Sequence, residues 1–349
     1  MSKKKISWPK ISIIILSFNG GEDLKRCFNS IKMQTYPSNK IEVVVVDDGS
    51  VDDSVQTAKE NGARVYINKK RDVYLNWAIA LHKITGDFTY MIDQDIELRG
   101  KDFLKKMIRP MLEDKRIVAC FARKYPKASQ SWITRFLSYH PAQCDPLYEF
   151  LTPPVESTFI EEKKNYILCK FILGKVPPFG RMFYRVEYLK NTTNWKQKRV
   201  FDHDLVIKTI KAGYDFFAYV PKAGLYHNHA KNLKHLLYKR ARNLRMHYFP
   251  ENKVTEYRWI DVGNKKDVVK MVGWIIYANL FIPAALRGVY RAIRDKDLVF
   301  LIEPVVTITI TDIILWNFII SNIGREIIMN SVKTLVSKSQ SSSLGSFGR

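Results

Sequence analysis

Only four cysteines occur in 349 residues, at Cys27, Cys120, Cys144 and Cys169, and no two of them form a C-x-x-C pair. That scatter argues against a zinc ribbon, a thioredoxin-type redox site or a disulfide scaffold, and makes reduced thiols in a cytosolic setting the expectation. No G-x-G-x-x-G and no G-x-x-x-x-G-K-[ST] run is present, which disfavours a dinucleotide enzyme and a P-loop ATPase. The opening Met1 to Lys5 has no apolar signal core behind it; Ile11 to Leu16 is too short for one and reads as a strand. Acids are scarce as well, 34 against 57 lysines and arginines, for a formal charge of +23. The surplus favours anionic partners, whether phosphates, nucleic acid or an anionic membrane face.

What is present can build a sizeable core: 46% of the residues are hydrophobic, and the length suits two domains or one large α/β domain with an appendage. Apolar runs at 11–16, 43–46, 65–67 and 88–92 each stop at a polar turn cluster and alternate with helical patterns, among them 77–83. Such alternation predicts a parallel sheet buried on both faces, with its ligand crevice at the carboxyl ends of the strands. Asn19, Asp48 and Asp93 all fall at such ends. A helix over 103–112, a strand over 118–123, a helix over 206–212 and a strand over 216–220 extend the domain, whereas 125–176 shows no clear period. Asp52 and Asp53 read as caps of the helix that follows them.

Beyond residue 230 the character changes. Residues 231–297 carry fifteen Lys and Arg against six Asp and Glu, interleaved with Leu, Tyr and Trp. Two apolar stretches follow, 268–286 and 298–320. The first, with Lys270, Asn279 and Pro283 inside it, suits a helix lying in a membrane interface. The second is long enough to cross a bilayer, but Glu303 and Asp312 within it would each cost about 2.5–3.5 kcal/mol near the bilayer centre. Interfacial or re-entrant helices are therefore expected there. The serine- and glycine-rich end, 337–349, reads as disordered.

Asp93 and Asp95, one residue apart after an apolar strand, can hold a hard divalent cation through oxygen ligands. Asp48 stands where an outward carboxylate can accept from a nucleobase or a ribose. Taken in order, 11–19, 43–50, Asp93-Gln94-Asp95, Phe201 to Leu205, Lys211 to Tyr214 and Val220 to His227 resemble the ordered motifs of family 2 glycosyltransferases with the GT-A fold, a likeness covering roughly 8–230. The resemblance implies an inverting sugar transfer from a nucleoside-diphosphate sugar. It matches Ser17, Asn19, Asp48, Asn76 and Asp93 with nucleotide-sugar contacts, and Asp93, Asp95 and His227 with a Mg²⁺ or Mn²⁺ site in which Asp95 is the direct ligand. Asp202 matches the general base, with Asp204 as the alternative because Phe201 replaces the acid that precedes it in relatives. Burial beside Phe201 is expected to raise the pKa of that base. Arg71 would replace a positive charge missing before Asn76, and Gly180 and Arg181 are candidate phosphate or acceptor contacts.

The expected organisation is a basic segment 1–10, a GT-A domain 11–230 (nucleotide-sugar half 11–123, acceptor half 124–230), a basic amphipathic membrane-associated region 231–336 and the tail. Expected partners are a sugar-nucleotide donor, a lipid-linked or cell-envelope glycan acceptor and an anionic membrane surface on the cytoplasmic side, with self-association left open. Two other readings compete with this one. A haloacid-dehalogenase-type phosphatase would use Asp93 as nucleophile but wants Thr or Val where Glu97 stands, and a nucleic-acid binder would explain the charge but shows no recognised module.

Overall fold

The computed structural model of the chain describes residues 7–140, 145–179, 181–192, 195, 197–251, 256–257 and 260–340. Gly180, the first six residues of the basic N-terminal segment and the tail beyond 340 lie outside them. Packing divides the chain into two compact units.

The first unit (Met1–Ala128, Ser138–Gln143, Pro154–His229) is a mixed α/β body around one ten-stranded sheet. Its strands are β1 (Ile11–Ser17), β2 (Ile41–Asp47), β3 (Arg64–Ile67), β4 (Phe88–Asp93), β5 (Ile96–Arg99), β6 (Ile117–Lys124), β7 (Phe159–Glu162), β8 (Ile167–Lys170), β9 (Met182–Arg185) and β10 (Phe216–His227). They lie in the order β3-β2-β1-β4-β9-β6-β10-β8-β7, with β5 paired to β10. β3, β2, β1 and β4 are mutually parallel, as the alternating pattern predicts, and β6 is parallel to β10; β9 enters antiparallel between β4 and β6. Along β1, Ile11, Ile13 and Ile15 fill the core beneath α1 (Gly21–Lys32), while α3 (Val73–Lys83) packs on β1 and β2. Between them in sequence runs α2 (Ser54–Glu60), and α4 (Phe103–Glu113) covers β6, β9 and β10.

Gly86 marks how tightly the sheet margin is closed. A Cβ there would meet the Ser12 amide nitrogen at 2.7 Å and the Phe88 carbonyl oxygen at 2.9 Å, backbone on both sides. Gly86→Ala is therefore expected to destabilise the fold by about 1–3 kcal/mol, the usual range for overpacking. Urea unfolding measures it; a loss under about 0.5 kcal/mol would show that the margin gives way.

Several boundaries differ from the sequence reading for identifiable reasons. The last strand does not stop at Val220: register shifts between Val220 and Gly224 absorb Pro221, and the strand resumes to His227, as a bulge allows where proline cannot donate to the ladder. The aperiodic stretch 125–176 holds α5 (Trp132–Ser138), α6 (Pro146–Leu151), β7 and β8, short pieces without room for a recognisable period. Helix 206–212 begins earlier, as α8 (Asp202–Lys211), after α7 (Val186–Asn191). Asp53 heads α2 without a side-chain capping bond, its carboxylate pairing with Lys25 Nζ at 3.0 Å, and it is Asp52 that accepts from the Ser54 amide.

The second unit (Ser129–Leu137, Cys144–Pro153, Ala230–Arg349) is helical. It contains α9 (Leu233–Asn243), a π turn (Leu244–Tyr248), α10 (Phe249–Glu251), α11 (Lys265–Asn279), α12 (Phe281–Asp295), a 3-10 segment (Leu298–Ile302), α13 (Glu303–Ile320) and α14 (Asn322–Gln340). The apolar stretch 268–286 is thus no single helix. α11 and α12 meet at an 83° bend, because Pro283 has no amide hydrogen to donate and its ring would clash with the carbonyl of residue 279. α14 carries helix to Gln340, into the stretch read as disordered. Among the described residues one helical segment, Leu298–Ile320, is long and apolar enough to cross a membrane.

Candidate active site

Sheet register builds the site. In β1, Ser17 pairs with Asp47 and Leu16 with Asp93, so the loops leaving β1, β2 and β4 share one rim. β5 then pairs antiparallel with β10, Ile96 opposite His227. Asp95 immediately precedes Ile96, and His227 Nε2 accordingly lies 3.2 Å from Asp95 Oδ1. Ligand atoms of Asp93, Asp95 and His227 all fall within 4.8 Å of one another. Two carboxylates and an imidazole at that spacing fit a hard or borderline divalent cation such as Mg²⁺ or Mn²⁺.

Antiparallel β9 supplies the next piece. With Phe183 opposite Tyr90, the chain running back toward Arg181 approaches the end of β4 at Asp93. Arg181 donates from Nε (3.0 Å) and Nη2 (2.5 Å) to Asp93 Oδ2, and from Nη1 to Asp202 Oδ2 at 2.5 Å. Its guanidinium carbon sits 5.5 Å from the centre of the buried Trp77 ring. One guanidinium thus ties Asp93, at the end of β4, to Asp202, the residue matched as the base.

Asp202 is the first residue of α8, where the helix dipole favours a carboxylate. Burial by itself would raise its pKa. His203, whose amide and Nδ1 each lie 3.0 Å from Asp202 Oδ1, and Arg181 outweigh that, and the carboxyl is held well below the ordinary carboxylate range. The expected upward shift beside Phe201 is therefore reversed: the neighbours supply positive charge and donors that the sequence spacing did not reveal. Asp204, by contrast, is only 3% exposed. For Arg181, partial desolvation works against the cation, but Asp93 and Asp202 dominate and hold it protonated.

The remaining sequence candidates line the β1–β2–α3 side. Asn19 takes a left-handed backbone, φ +47°, and fastens two loops: its amide donates to Ser50 Oγ (2.8 Å) and its Oδ1 accepts from the Val51 amide (3.0 Å). Ser17 is buried, with its carbonyl accepting from the Asp48 amide and its Oγ without a hydrogen-bond partner among the described residues. Asp47 turns inward, accepting from the Gly49 and Ser50 amides and from Ser50 Oγ, which leaves Asp48 facing Asn76, whose Nδ2 donates to Asp48 Oδ1 at 2.5 Å. Burial raises the Asp48 pKa, the Asn76 bond offsetting part of the rise. Arg71, at φ +52°, stacks its guanidinium 4.5 Å above the Phe18 ring.

Residues 12–195, just over half of the chain, match the family described as glycosyl transferase family 2. The chain belongs to glycosyl transferase family 2. Among curated relatives, it is 42% identical over 52 residues to the glycosyltransferase AglE of Haloferax volcanii, covering 15% of this chain and 17% of AglE. It is 30% identical over 120 residues to YibD of Escherichia coli, described as an uncharacterized glycosyltransferase, covering 32% of this chain and 34% of YibD. The matched stretches thus span about a third or less of these relatives. Among solved structures, the S. aureus TarS 1–349 crystal structure aligns at TM-score 0.45 and 15% identity over 85% of this chain and 90% of that one. The mannosyltransferase PcManGT from Pyrobaculum calidifontis, solved with GDP-Man and Mn²⁺, aligns at TM-score 0.45 and 15% identity over 95% and 88%.

This family 2 chain also uses residues that the sequence reading passed over. Gln94, the middle residue of the Asp93–Asp95 element, accepts from the Phe18 amide (2.8 Å) and donates to the Phe18 carbonyl (3.1 Å), locking the β1 loop to the β4 loop. Gly20 must stay small beneath it, since a Cβ there would lie 2.7 Å from Gln94 Oε1. Asn68 donates to Asn76 Oδ1 at 2.6 Å and so orients the amide that reaches Asp48. Pattern had no hold on these residues, because their partners are backbone atoms or side chains brought near only by the sheet.

Proposed function

We propose that the chain moves a sugar from a nucleoside-diphosphate sugar to an acceptor hydroxyl with inversion at the anomeric carbon. The observation that carries the reading is the meeting of two sets of contacts, Asp95–His227 and Asp93–Arg181–Asp202, at the carboxyl rim of the sheet, where ligand atoms of Asp93, Asp95 and His227 lie within 4.8 Å of one another. Asp48 and Asn76 would hold the nucleoside, and Ser17 and Asn19 shape the loop against which it rests. Asp95, Asp93 and His227 would hold the cation; when bound, it would offset charge growing on the departing diphosphate. Arg181 keeps a fixed positive charge beside Asp93 and aims Asp202, which is ionised and able to take the acceptor's proton as the hydroxyl attacks. Asp202 rather than Asp204 fits this role, since it is the carboxylate joined to Arg181.

The acceptor we favour is a lipid-linked or cell-envelope glycan presented at the cytoplasmic face of a membrane, a choice supported by the basic, apolar helical unit. The dehalogenase-type reading is disfavoured because Asp93, its nucleophile, is engaged by Arg181 through two bonds.

A thermal-shift panel on the full chain tests the donor. UDP or GDP with Mn²⁺ is expected to raise Tm, by the equivalent of about 2.7 kcal/mol at a hundredfold excess over Kd, and Asp95→Asn is expected to abolish the Mn²⁺-dependent part. Hydrolysis of simple phosphate esters without any sugar nucleotide, and no shift with any nucleoside diphosphate, would sink the proposal.

A further inference from the structure

The helical unit buries apolar side chains such as Val268, Trp274, Phe300, Val306 and Ile310, yet on α12 it also turns charge inward and large apolar residues outward. On α12 the buried positions are Ala284, Gly288, Arg291 and Ala292, whereas Ile282, Leu286 and Ile293 stand 71%, 66% and 74% exposed. Steps of four, three and four residues place Ile282, Leu286, Val289 and Ile293 on one stripe of the helix. The inward face has to be small: a Cβ on Gly288 would lie 2.5 Å from the Phe300 carbonyl oxygen. It is also charged, since Arg287 and Arg291 reach the fully buried Glu303 at 2.5 and 3.3 Å.

The neighbouring helices also leave large apolar residues exposed. α13 buries Glu303, Thr307, Thr311 and Asn317 together with Pro304, Val306 and Ile310, while Val305, Trp316 and Ile319 are exposed, and Thr311 Oγ1 accepts from Trp274 Nε1 at 3.0 Å. α14 buries Ser331 and exposes Met329, Val332 and Val336. A water-soluble bundle rarely leaves so many large apolar side chains exposed on neighbouring helices, and such residues grouped on one face mark an interaction surface.

Two features choose the partner. Cations bracket the apolar band: Lys265, Lys266 and Lys270 are exposed at the start of α11, and Arg294 and Lys296 at the end of α12. Hydrocarbon edged by lysine and arginine matches the layering of an anionic bilayer, acyl chains beneath phosphates. The second feature is length. A straight crossing needs about 20 apolar residues, but α11 and α12 have 15 each and are bent by 83° between them.

We propose that α11 and α12 lie within one leaflet of an anionic phospholipid membrane, with the Ile282–Leu286–Val289–Ile293 stripe among the acyl chains, and that this pair anchors the helical unit without itself crossing. The inference rests on the membrane-presented acceptor offered above, but its readouts do not involve sugar transfer. The full chain is expected to float with vesicles of phosphatidylcholine and phosphatidylglycerol, and more weakly with phosphatidylcholine alone. Leu286→Glu/Ile293→Glu, two changes at exposed positions, is expected to cut vesicle partitioning at least tenfold with the thermal unfolding of the chain unchanged. Flotation of that variant at the wild-type level would overturn the proposal. So would a wild-type chain that stays unbound and forms a dimer which the variant splits, because the face would then be an interface between copies.

Topology is read separately. In a Cys144→Ser background, the other cysteines being buried, Gly263→Cys and Lys296→Cys are both expected to react with a membrane-impermeant maleimide added to one side of sealed vesicles. Reaction at only one of them would mean that the pair crosses and would overturn the single-leaflet placement. Failed flotation with sugar transfer to a soluble acceptor intact would remove the anchor and leave the transfer reading standing; retained flotation without transfer would do the reverse.

Discussion

Asp202→Asn is expected to lower sugar transfer by about 10²–10⁴-fold, the range for loss of a general base, while nucleoside-diphosphate binding stays close to wild type. The amide keeps the shape but only one acceptor oxygen, so either the Arg181 bond or the His203 amide bond is lost, a local cost in stability; the larger effect on rate is expected from removing the proposed proton acceptor. The structure adds a pH signature. Because His203 and Arg181 depress the pKa of this carboxyl despite its burial, Asp202 is ionised throughout the neutral range, and the wild-type rate profile should show no limb from it there. The stability consequence has a definite sign. A depressed folded-state pKa stabilises the native state above the unfolded value, about 3.9 for aspartate, and the contribution is lost as pH falls toward the folded value. The stability gap between wild type and Asp202→Asn should therefore be widest near neutrality and narrow below about pH 4, as urea titrations at pH 7 and pH 3 would reveal. If the variant loses nucleotide binding instead, Asp202 belongs to the donor site. If Asp204→Asn gives the larger loss of transfer with binding intact, the assignment moves two residues along the helix.

The parts of this arrangement that could be read from the sequence are those fixed by local pattern. Apolar β-branched runs ending in Ser17, Asp47 and Asp93 announce buried strands and their rim, since strand periodicity and turn chemistry act over a few residues. What could not be read is set by pairing between distant segments. Nothing near His227 indicates that its strand survives Pro221 through a bulge, or that β5 folds back to bring Asp95 to it. Arg181, named from the sequence as a candidate phosphate or acceptor contact, has no visible link to Asp93 and Asp202 until β9 inserts antiparallel between β4 and β6. The reversed pKa expectation for Asp202 has the same origin: Phe201 was visible as a hydrophobic neighbour, whereas Arg181 is twenty-one residues away. In the helical unit the apolar stretches were legible as composition, but the direction in which each face points follows from Gly288 and from the Glu303 ion pairs, which sequence periodicity does not orient.

Arg181 is where the second large effect is expected. Its side chain holds Asp93 and Asp202 by charge-assisted bonds from three nitrogens, with each of the three side chains about a quarter exposed. Arg181→Met preserves much of the aliphatic volume and removes the fork, leaving two carboxylates facing each other without the cation between them. Breaking a well-buried pair by deleting one partner costs about 3–5 kcal/mol; partial solvent access here argues for about 2 kcal/mol. Like charges in one site disfavour ionisation of both, so the pKa of Asp202 should climb and an acid limb should enter the rate profile, with transfer falling about 10²-fold or more even at its new, higher optimum. Arg181→Lys separates positioning from bulk stability. Lysine restores a positive charge but not the planar fork that spans two acceptors, so it should recover most of the stability and little of the transfer. A merely structural arginine would behave differently: Arg181→Met would unfold more easily yet keep the wild-type pH profile, and lysine would rescue both properties in parallel. That outcome would detach Asp202 from Arg181 and, with it, the argument that this guanidinium couples the cation-binding strand to the base.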